Sequence, residues 1–291
     1  MYPSARDHIV LCGWPSIKEG LSALGIDAVE MEFARDRSVF AIDPKPGAER
    51  FKLDDPAGLD AFRKQVEAHE IRISAFLMSN NFASEDSDGE VAWTVAAIQA
   101  ADVLGVPAIR IDAHMHGEGE ESVARNIGIF ANVMARILDA TSDSKVDMGI
   151  ENHGYQGNRP DFLDAVFRAV GSPRLGLTID TGNFYWFGHP LSRVYEIIRH
   201  FAPHCKHTHA KNIKYPPEMR ETQREVGLEY EKYVTTIWEG DIDHKRVADI
   251  LKAAGYDRDL CLEDESLGRW QGDERREVIK RDIDLFKAIL L

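Results

Sequence analysis

The chain has 291 residues, 44% hydrophobic and 29% charged, with 22 Gly and 12 Pro. This is the composition of an ordinary globular protein with a substantial core, which excludes disordered, fibrous and collagen-like classes. Lys and Arg number 35 against 49 Asp and Glu, a net charge of −14 that argues against general binding to nucleic acid or an anionic membrane.

Short β-branched runs alternate with longer segments of helical period, the pattern of repeated βα units around a parallel sheet. The first strand is expected over residues 8–14 and its helix over 16–24, followed by strand 28–33 and helix 59–69, then strand 71–78 and helix 91–104. Strand 108–113 with helix 121–138 and strand 147–152 with helix 161–170 come next. Strand 175–180 with helix 191–201, strand 206–210 with helix 244–253, and strand 259–264 with helix 275–290 complete the series. Gly25, Gly105, Gly171 and Gly255 stand where helices should stop, and Asp161 and Asp243 where a side chain can cap one. No Ser/Pro/Gly linker divides the chain, so residues 1–291 are expected to form one domain, a closed (β/α)8 barrel that uses every element.

The competing fold, an open doubly wound sheet, usually carries a Gly-rich phosphate turn after its first strand, and Cys12-Gly13-Trp14-Pro15-Ser16 is not one. No GxxxxGK[ST], GxSxG or HExxH occurs. A long loop and helical insertion is expected after strand seven, over residues 212–240, with a helix in the polar run 218–232. Cys12, Cys205 and Cys261 are odd in number and lack CxxC spacing, which fits a reducing compartment. The polar segment Met1 to His8 does not read as a signal peptide and no run approaches a membrane span, so the expected location is cytoplasmic.

In such barrels catalytic groups gather at the carboxyl ends of the strands. Strands five to eight end in Glu151-Asn152-His153, Asp180-Thr181-Gly182-Asn183, His209-Ala210-Lys211 and Glu263-Asp264-Glu265. Glu151, Asp180 and His209 are about one βα unit apart, which sets them side by side on the rim, and Glu263 completes the arc. Three carboxylates and one imidazole at one mouth repel one another unless a cation neutralises them. Oxygen-rich ligation with one nitrogen suits a single divalent ion, Mn²⁺ first, with Mg²⁺, Co²⁺ or Zn²⁺ also compatible.

These strand ends, with the later Glu239-Gly240-Asp241-Ile242-Asp243 and Gly255-Tyr256-Asp257, resemble the xylose isomerase-like TIM-barrel superfamily, in particular its sugar phosphate isomerase/epimerase group. Gly25 to Glu30 at strand two and Asn80-Asn81-Phe82 after strand three are similar to that group as well, so the resemblance covers nearly the whole chain. It implies that Glu151, Asp180, His209 and Glu263 are metal ligands. It implies further that Glu151 and Glu263 face a small sugar or polyol substrate from opposite sides as acid and base. Proton transfer through a metal-stabilised enediolate would then give epimerisation or aldose–ketose isomerisation. Asn183 departs from the group, where many relatives carry His, and Asn is neither acid nor base at neutral pH.

Lys211, His153, His114 and Trp14, with Asn183, are the candidate substrate contacts, each set against a purely structural alternative. Trp14 is read as ending strand one and His114, with His116, as ending strand four. Asn152 is a candidate to orient Glu151, and His207 is read as a hydrogen-bonded layer residue inside the barrel. Arg220 and Arg224 are expected on a solvated helix face of the insertion, and the aromatic run Phe184 to Phe187 is assigned some pocket role. An inosose-type dehydratase in the same metal pocket is the alternative activity. An apurinic-site endonuclease is disfavoured by Asn183 and the charge of −14, and a metal-free sugar-binding barrel by the intact ligand set. Homodimers or homotetramers are compatible with the resemblance.

Overall fold

The computed structural model describes residues 1–113 and 120–290, and side chains outside 114–122. Eight parallel strands form the central sheet: β1 Tyr2–Arg6, β2 Ala28–Glu32, β3 Arg72–Leu77, β4 Ala108–Asp112, β5 Asp147–Glu151, β6 Leu175–Asp180, β7 Cys205–His209 and β8 Asp259–Leu262. Their order is β8-β1-β2-β3-β4-β5-β6-β7. A parallel bridge between Ala210 and Leu262 brings the two ends together, with Ala210 N–H donating to Cys261 O (2.7 Å) and Glu263 N–H to Ala210 O (3.0 Å). The protein is therefore a single (β/α)8 TIM barrel. Every residue of β4, β5 and β6 is buried, as strands covered on both faces require.

The eight long helices expected from the sequence are present, the last four beginning at Pro160, Leu191, His244 and Gly272. Gly105 and Gly171 end two of them at φ 69° and 63°, a backbone that a side chain with a Cβ rarely adopts. Asp243 caps its helix by accepting from Arg246 N–H at 3.1 Å. Asp161 does not cap: it lies in the first turn after Pro160 and binds the Arg159 guanidinium at 2.6 and 3.1 Å.

One strand is misplaced by the sequence reading. Residues 8–14 do not form β1; Asp7–Gly13 is a helix, and β1 is Tyr2–Arg6, paired with Asp259 to Leu262 on one side and with Val29 and Glu30 on the other. The run Ile9-Val10-Leu11-Cys12 looks like a strand, yet its helix buries Asp7, Ile9, Val10 and Gly13, the spacing of a helical face. As a result Arg6, not Trp14, stands at the end of β1. Trp14 follows the helix with its ring against Gly20, where a Cβ would come within 3.3 Å of it.

The insertion after β7 is not helical across 218–232. It holds a 3-10 turn Pro217–Met219, a single helical turn Tyr230–Tyr233, and a two-residue antiparallel ladder of Asn212–Ile213 with Val234–Thr235. Arg224 explains the compactness of this loop, and it is buried rather than solvated. Its guanidinium sits 4.4 Å from the ring centres of both Tyr185 and Tyr215 and donates to the carbonyls of Met219, Thr222, Tyr185 and His189. Arg220 pairs with Asp241 at 3.0 Å. Phe184 and Tyr185 pack in the core rather than lining a pocket. A second addition, the hairpin Ser38–Lys45 and Ala48–Lys52 after β2, was not foreseen from the sequence.

A buried carboxyl pair joins β8 to the last helix. Asp282 Oδ1 accepts from Ile237 N–H at 2.9 Å and Asp264 Oδ1 from Ser266 N–H at 2.7 Å, while both Oδ2 atoms are buried without another donor. Burial, and then the charge of Asp264, push Asp282 well above the ordinary carboxyl range, and burial raises Asp264 too, which favours one proton held between them. The folded value lies above the unfolded value of about 3.9. The pair's contribution to stability is therefore complete below that pH and is lost as the pH rises through the folded value. In Asp282→Asn the amide can accept from Ile237 and donate to Asp264 without a shared proton. Urea unfolding at pH 5 and pH 8 is expected to show the variant gaining about 1–3 kcal/mol on the parent at the higher pH; equal loss at both pH values would contradict the shared proton.

Candidate metal centre

Strand register builds the mouth. Asp112 pairs with Glu151, Asp180 with His209 and Arg6 with Glu30, so charged side chains from neighbouring strands end at one level. Asn152 locks β5 to β6, its Nδ2 donating to Asp180 O (2.9 Å) and its Oδ1 accepting from Asp180 N–H (2.7 Å). Glu151, Asp180, His209 and Glu263 each bring one ligating atom within 4.8 Å of the others, and all four are buried. The structure thus brings together the four residues singled out at the ends of strands five to eight.

Each of these side chains commits one atom to the protein. Glu151 Oε2 accepts from Arg110, from Nε at 2.6 Å and also from Nη2, while Oε1 lies 3.0 Å from His209 Nδ1. Glu263 Oε1 is taken by Arg6, and Oε2 stands 3.3 Å from His209 Nδ1. Asp180 Oδ1 accepts the backbone N–H groups of Gly182 (2.8 Å) and Asn183 (2.7 Å). His209 Nε2 lies 2.9 Å from Glu30 Oε1. The atoms left over are Glu151 Oε1, Glu263 Oε2, Asp180 Oδ2 and His209 Nδ1.

These residues fit a divalent cation. Asp180 Oδ2 and Glu263 Oε2 are buried and, among the described residues, accept no hydrogen bond of ordinary geometry. Their charge is offset only through the ion-pair contacts of Lys211 and His209, and a further cation between them is favourable. Three oxygens and one imidazole nitrogen form a hard donor set of the kind such ions take. The nearest cation of the chain is the Lys211 ammonium, buried, 3.3 Å from Asp180 Oδ2, 3.0 Å from Glu263 Oε2 and 2.7 Å from Glu265.

The electrostatics are uneven across the four. Burial alone would raise Glu151, but Arg110 and His209 hold its carboxyl well below the usual range. Glu263 is likewise held low against burial, by His209, Lys211 and Arg6. Asp180 is raised well above the usual range by burial, with Lys211 only partly offsetting it.

The remaining candidates divide. Asn183 is buried beside the centre, its Nδ2 3.5 Å from Glu151 Oε1. His153 is half exposed, with Nδ1 3.0 Å from Asp112 Oδ1, a contact that raises its pKa. Lys211 is at the centre, as given above, and His207 is a fully buried layer residue between Asp259 and Glu30. Trp14 directly follows the helix after β1 and does not end a strand. His114 and His116 lie outside the described residues.

Sequence reasoning gave no role to Arg6, Arg110, Asp112, Glu30 or Glu265. Their signal was present: Arg110 stands alone in Ala108-Ile109-Arg110-Ile111 and Glu30 in Ala28-Val29-Glu30-Met31, and a lone charge inside a buried apolar run is almost always paired. Tyr230, on the insertion, donates its hydroxyl to Glu265 and so ties that loop to the mouth.

Comparison with known proteins agrees with this architecture. The family model described as xylose isomerase-like TIM barrel matches residues 19–289, and the chain belongs to that family. Among solved structures it is similar to an IolI protein with a bound zinc atom, at 16% identity and TM-score 0.71, covering 97% of this chain and 96% of that one. It is also similar to a D-tagatose 3-epimerase-like protein, at 18% identity, TM-score 0.68 and 100% coverage of both chains. A third is mannonate dehydratase from Streptococcus suis, at 13% identity and TM-score 0.64, covering 99% of this chain and 93% of that one. A curated relative, the uncharacterized protein MJ1311 of Methanocaldococcus jannaschii, is 23% identical over 158 residues, 53% of this chain. The chain spans about half the length of that relative, 48%.

Arg110 is the cation on which the β4–β5 side of the mouth depends, since it also donates to Asp112 Oδ2 and Met78 O, each at 2.8 Å. Replacing it by Met strands two buried carboxylates. Urea unfolding of Arg110→Met at pH 7 is expected to show a loss of about 3–5 kcal/mol; a loss below about 1 kcal/mol, the range of exposed pairs, would mean that water reaches these groups.

Proposed function

We propose that the protein is a divalent-metal-dependent isomerase or epimerase of a small sugar or sugar derivative, acting by proton transfer at a carbon next to a carbonyl. The observation that carries this reading is the convergence of Glu151, Asp180, His209 and Glu263 at the carboxyl ends of β5 to β8, each with one atom committed to the protein. The printed descriptions of an epimerase-like protein and a zinc-containing IolI protein among its structural relatives support the reading. Manganese is the favoured ion.

When bound, a divalent ion supplies the Lewis acidity that acidifies a hydrogen beside the substrate's carbonyl. The chain's own groups do the rest. Glu151 takes that proton on Oε1 and Glu263 returns one from Oε2. Return to the opposite face of the same carbon gives epimerisation, and return to the neighbouring carbon gives isomerisation. Arg110 keeps Glu151 ionised as the base and Arg6 holds Glu263 in place. Glu263 is ionised at rest, so the proton it returns is one it first takes up from solvent, and Glu151 gives its proton to solvent to complete the cycle. Asn183 and Lys211 hold substrate hydroxyl oxygens. Glu263 also lines a cavity of about 320 Å³ with Arg6, His8, Cys12, Glu265 and Arg275.

A second reading, dehydration, is favoured by one observation: His153 stands half exposed beside Glu151 with its ring held by Asp112, placed to protonate a departing hydroxyl. The mannonate dehydratase among the structural relatives supports it.

The test is incubation of the Mn²⁺-loaded protein with a panel of ketoses and acid sugars in D₂O, followed by NMR and mass spectrometry. The expected result is deuterium at the carbon beside the carbonyl, with loss of about 10²-fold or more in rate for Glu151→Gln and Glu263→Gln. Loss of water from the product selects the second reading. Absence of exchange across the panel with each of Mn²⁺, Mg²⁺, Co²⁺ and Zn²⁺ would contradict both.

A further inference from the structure

Glu30 reaches the centre from the far side of the barrel, on β2, and is fully buried. Its Oε1 lies 2.9 Å from His209 Nε2 and 2.8 Å from His207 Nε2, and its Oε2 lies 3.0 Å from His209 Nε2. A carboxylate has no hydrogen to give, so Nε2 of His209 is the donor. A metal takes the imidazole neutral, with one N–H, so with Nε2–H held on Glu30 the proton that a cation displaces is the one on Nδ1. That nitrogen is the one facing Glu151 Oε1 and Glu263 Oε2.

Glu30 is itself held. His207 sits between it and Asp259, with Nδ1 3.0 and 2.9 Å from the two Asp259 oxygens. Both nitrogens of His207 therefore donate to carboxylates, which makes it a fixed imidazolium. Tyr256 hydroxyl donates to Asp259 Oδ1 at 2.9 Å and anchors the far end. Arg6, 3.5 Å from Glu30 Oε2, supplies the other positive charge beside it.

Glu30, His207 and Cys261 also bring ligating atoms within 4.8 Å of one another, but they do not make a second metal centre. Both nitrogens of His207 are taken by Glu30 and Asp259, neither of them one of the four converging residues, and burial pushes the Cys261 thiol up to about 12. The chemistry of this group is to hold His209.

We infer that Glu30 is the positioning residue of the centre: it fixes the ring and tautomer of His209 so that Nδ1 is offered to the cation, and His207 with Asp259 holds Glu30 in that pose. This rests on the metal reading given above. A Gln at this position can accept from only one of the two histidines, and its amide donor would confront the other. His209 is fully buried, so bulk solvent does not reach it to replace the lost partner.

The test uses the full chain and its Glu30→Gln, His209→Ala and doubly substituted variants, titrated calorimetrically with Mn²⁺ and Co²⁺, with thermal melts to show that each is folded. Glu30→Gln is expected to weaken binding 10–100-fold and to change the visible spectrum of bound Co²⁺. In the His209→Ala background the same substitution is expected to cost nothing further, which a general loosening of the fold would not produce. Binding by folded Glu30→Gln as tight as in the parent, or an undiminished effect in the His209→Ala background, would overturn the inference. If the parent binds neither ion, the metal reading fails and takes this inference with it; if the parent binds and the variant binds equally, only the inference fails. Should Glu30→Gln not fold, ¹⁵N NMR of the Zn²⁺-loaded parent decides: His209 is expected to keep Nε2–H while Zn²⁺ shifts Nδ1, and Zn²⁺ on Nε2 would overturn the inference.

Discussion

A carboxylate has two oxygens and an imidazole two nitrogens, and in the mouth of this barrel one atom of each is committed to the chain. Arg110 holds one oxygen of Glu151, Arg6 one of Glu263, two backbone N–H groups one of Asp180, and Glu30 one nitrogen of His209. The free atoms then converge without the rotational freedom that would let like charges turn apart. Removing an ion from water costs several kcal/mol. That cost is tolerable here because each fixed atom already has a partner of opposite charge or a backbone donor. At Asp180 Oδ2 and Glu263 Oε2 it is offset only through ion-pair contacts without hydrogen-bond geometry, chiefly with the shared Lys211 ammonium, and the functional reading grows from those two atoms.

The barrel serves this arrangement through register and closure. The pairings Asp112 with Glu151 and Asp180 with His209 set the candidate ligands and their partners at one height on neighbouring strands. The bridge between Ala210 and Leu262 brings Glu263 round to meet them from the other edge of the sheet. Beyond the strand ends, Tyr230 ties the insertion to Glu265, and Glu265 touches Lys211, so the loop after β7 is coupled to the centre by two contacts. The last strand is braced from behind by the buried pair Asp264 and Asp282, both raised in pKa by burial.

Much of this was legible in the sequence because strand ends are marked by chemistry as well as by pattern. Four apolar runs that each close on an acid or a histidine point to one mouth, and the structure sets those four residues together. The first strand was lost for a physical reason: Ile9 to Cys12 is apolar enough for either a strand or a buried helix, and only pairing partners far along the chain distinguish them. With β1 misplaced, Arg6 could not be seen as a rim residue, and Trp14 was put where it does not belong. The insertion was misread because its polar pattern hides Arg224, whose burial depends on two tyrosines from other segments and on backbone carbonyls that no pattern records. Glu30 and Arg110 were visible as lone charges in apolar strands, but their partners lie across the barrel, beyond any local spacing.

The most direct measurement is X-ray absorption spectroscopy of the protein loaded with one equivalent of Co²⁺. The expected first shell contains oxygen and nitrogen only, with the outer-shell scattering of a single imidazole. A sulfur shell, two or more imidazoles, or cobalt left as the free hexaaqua ion would contradict a centre built from Glu151, Asp180, His209 and Glu263.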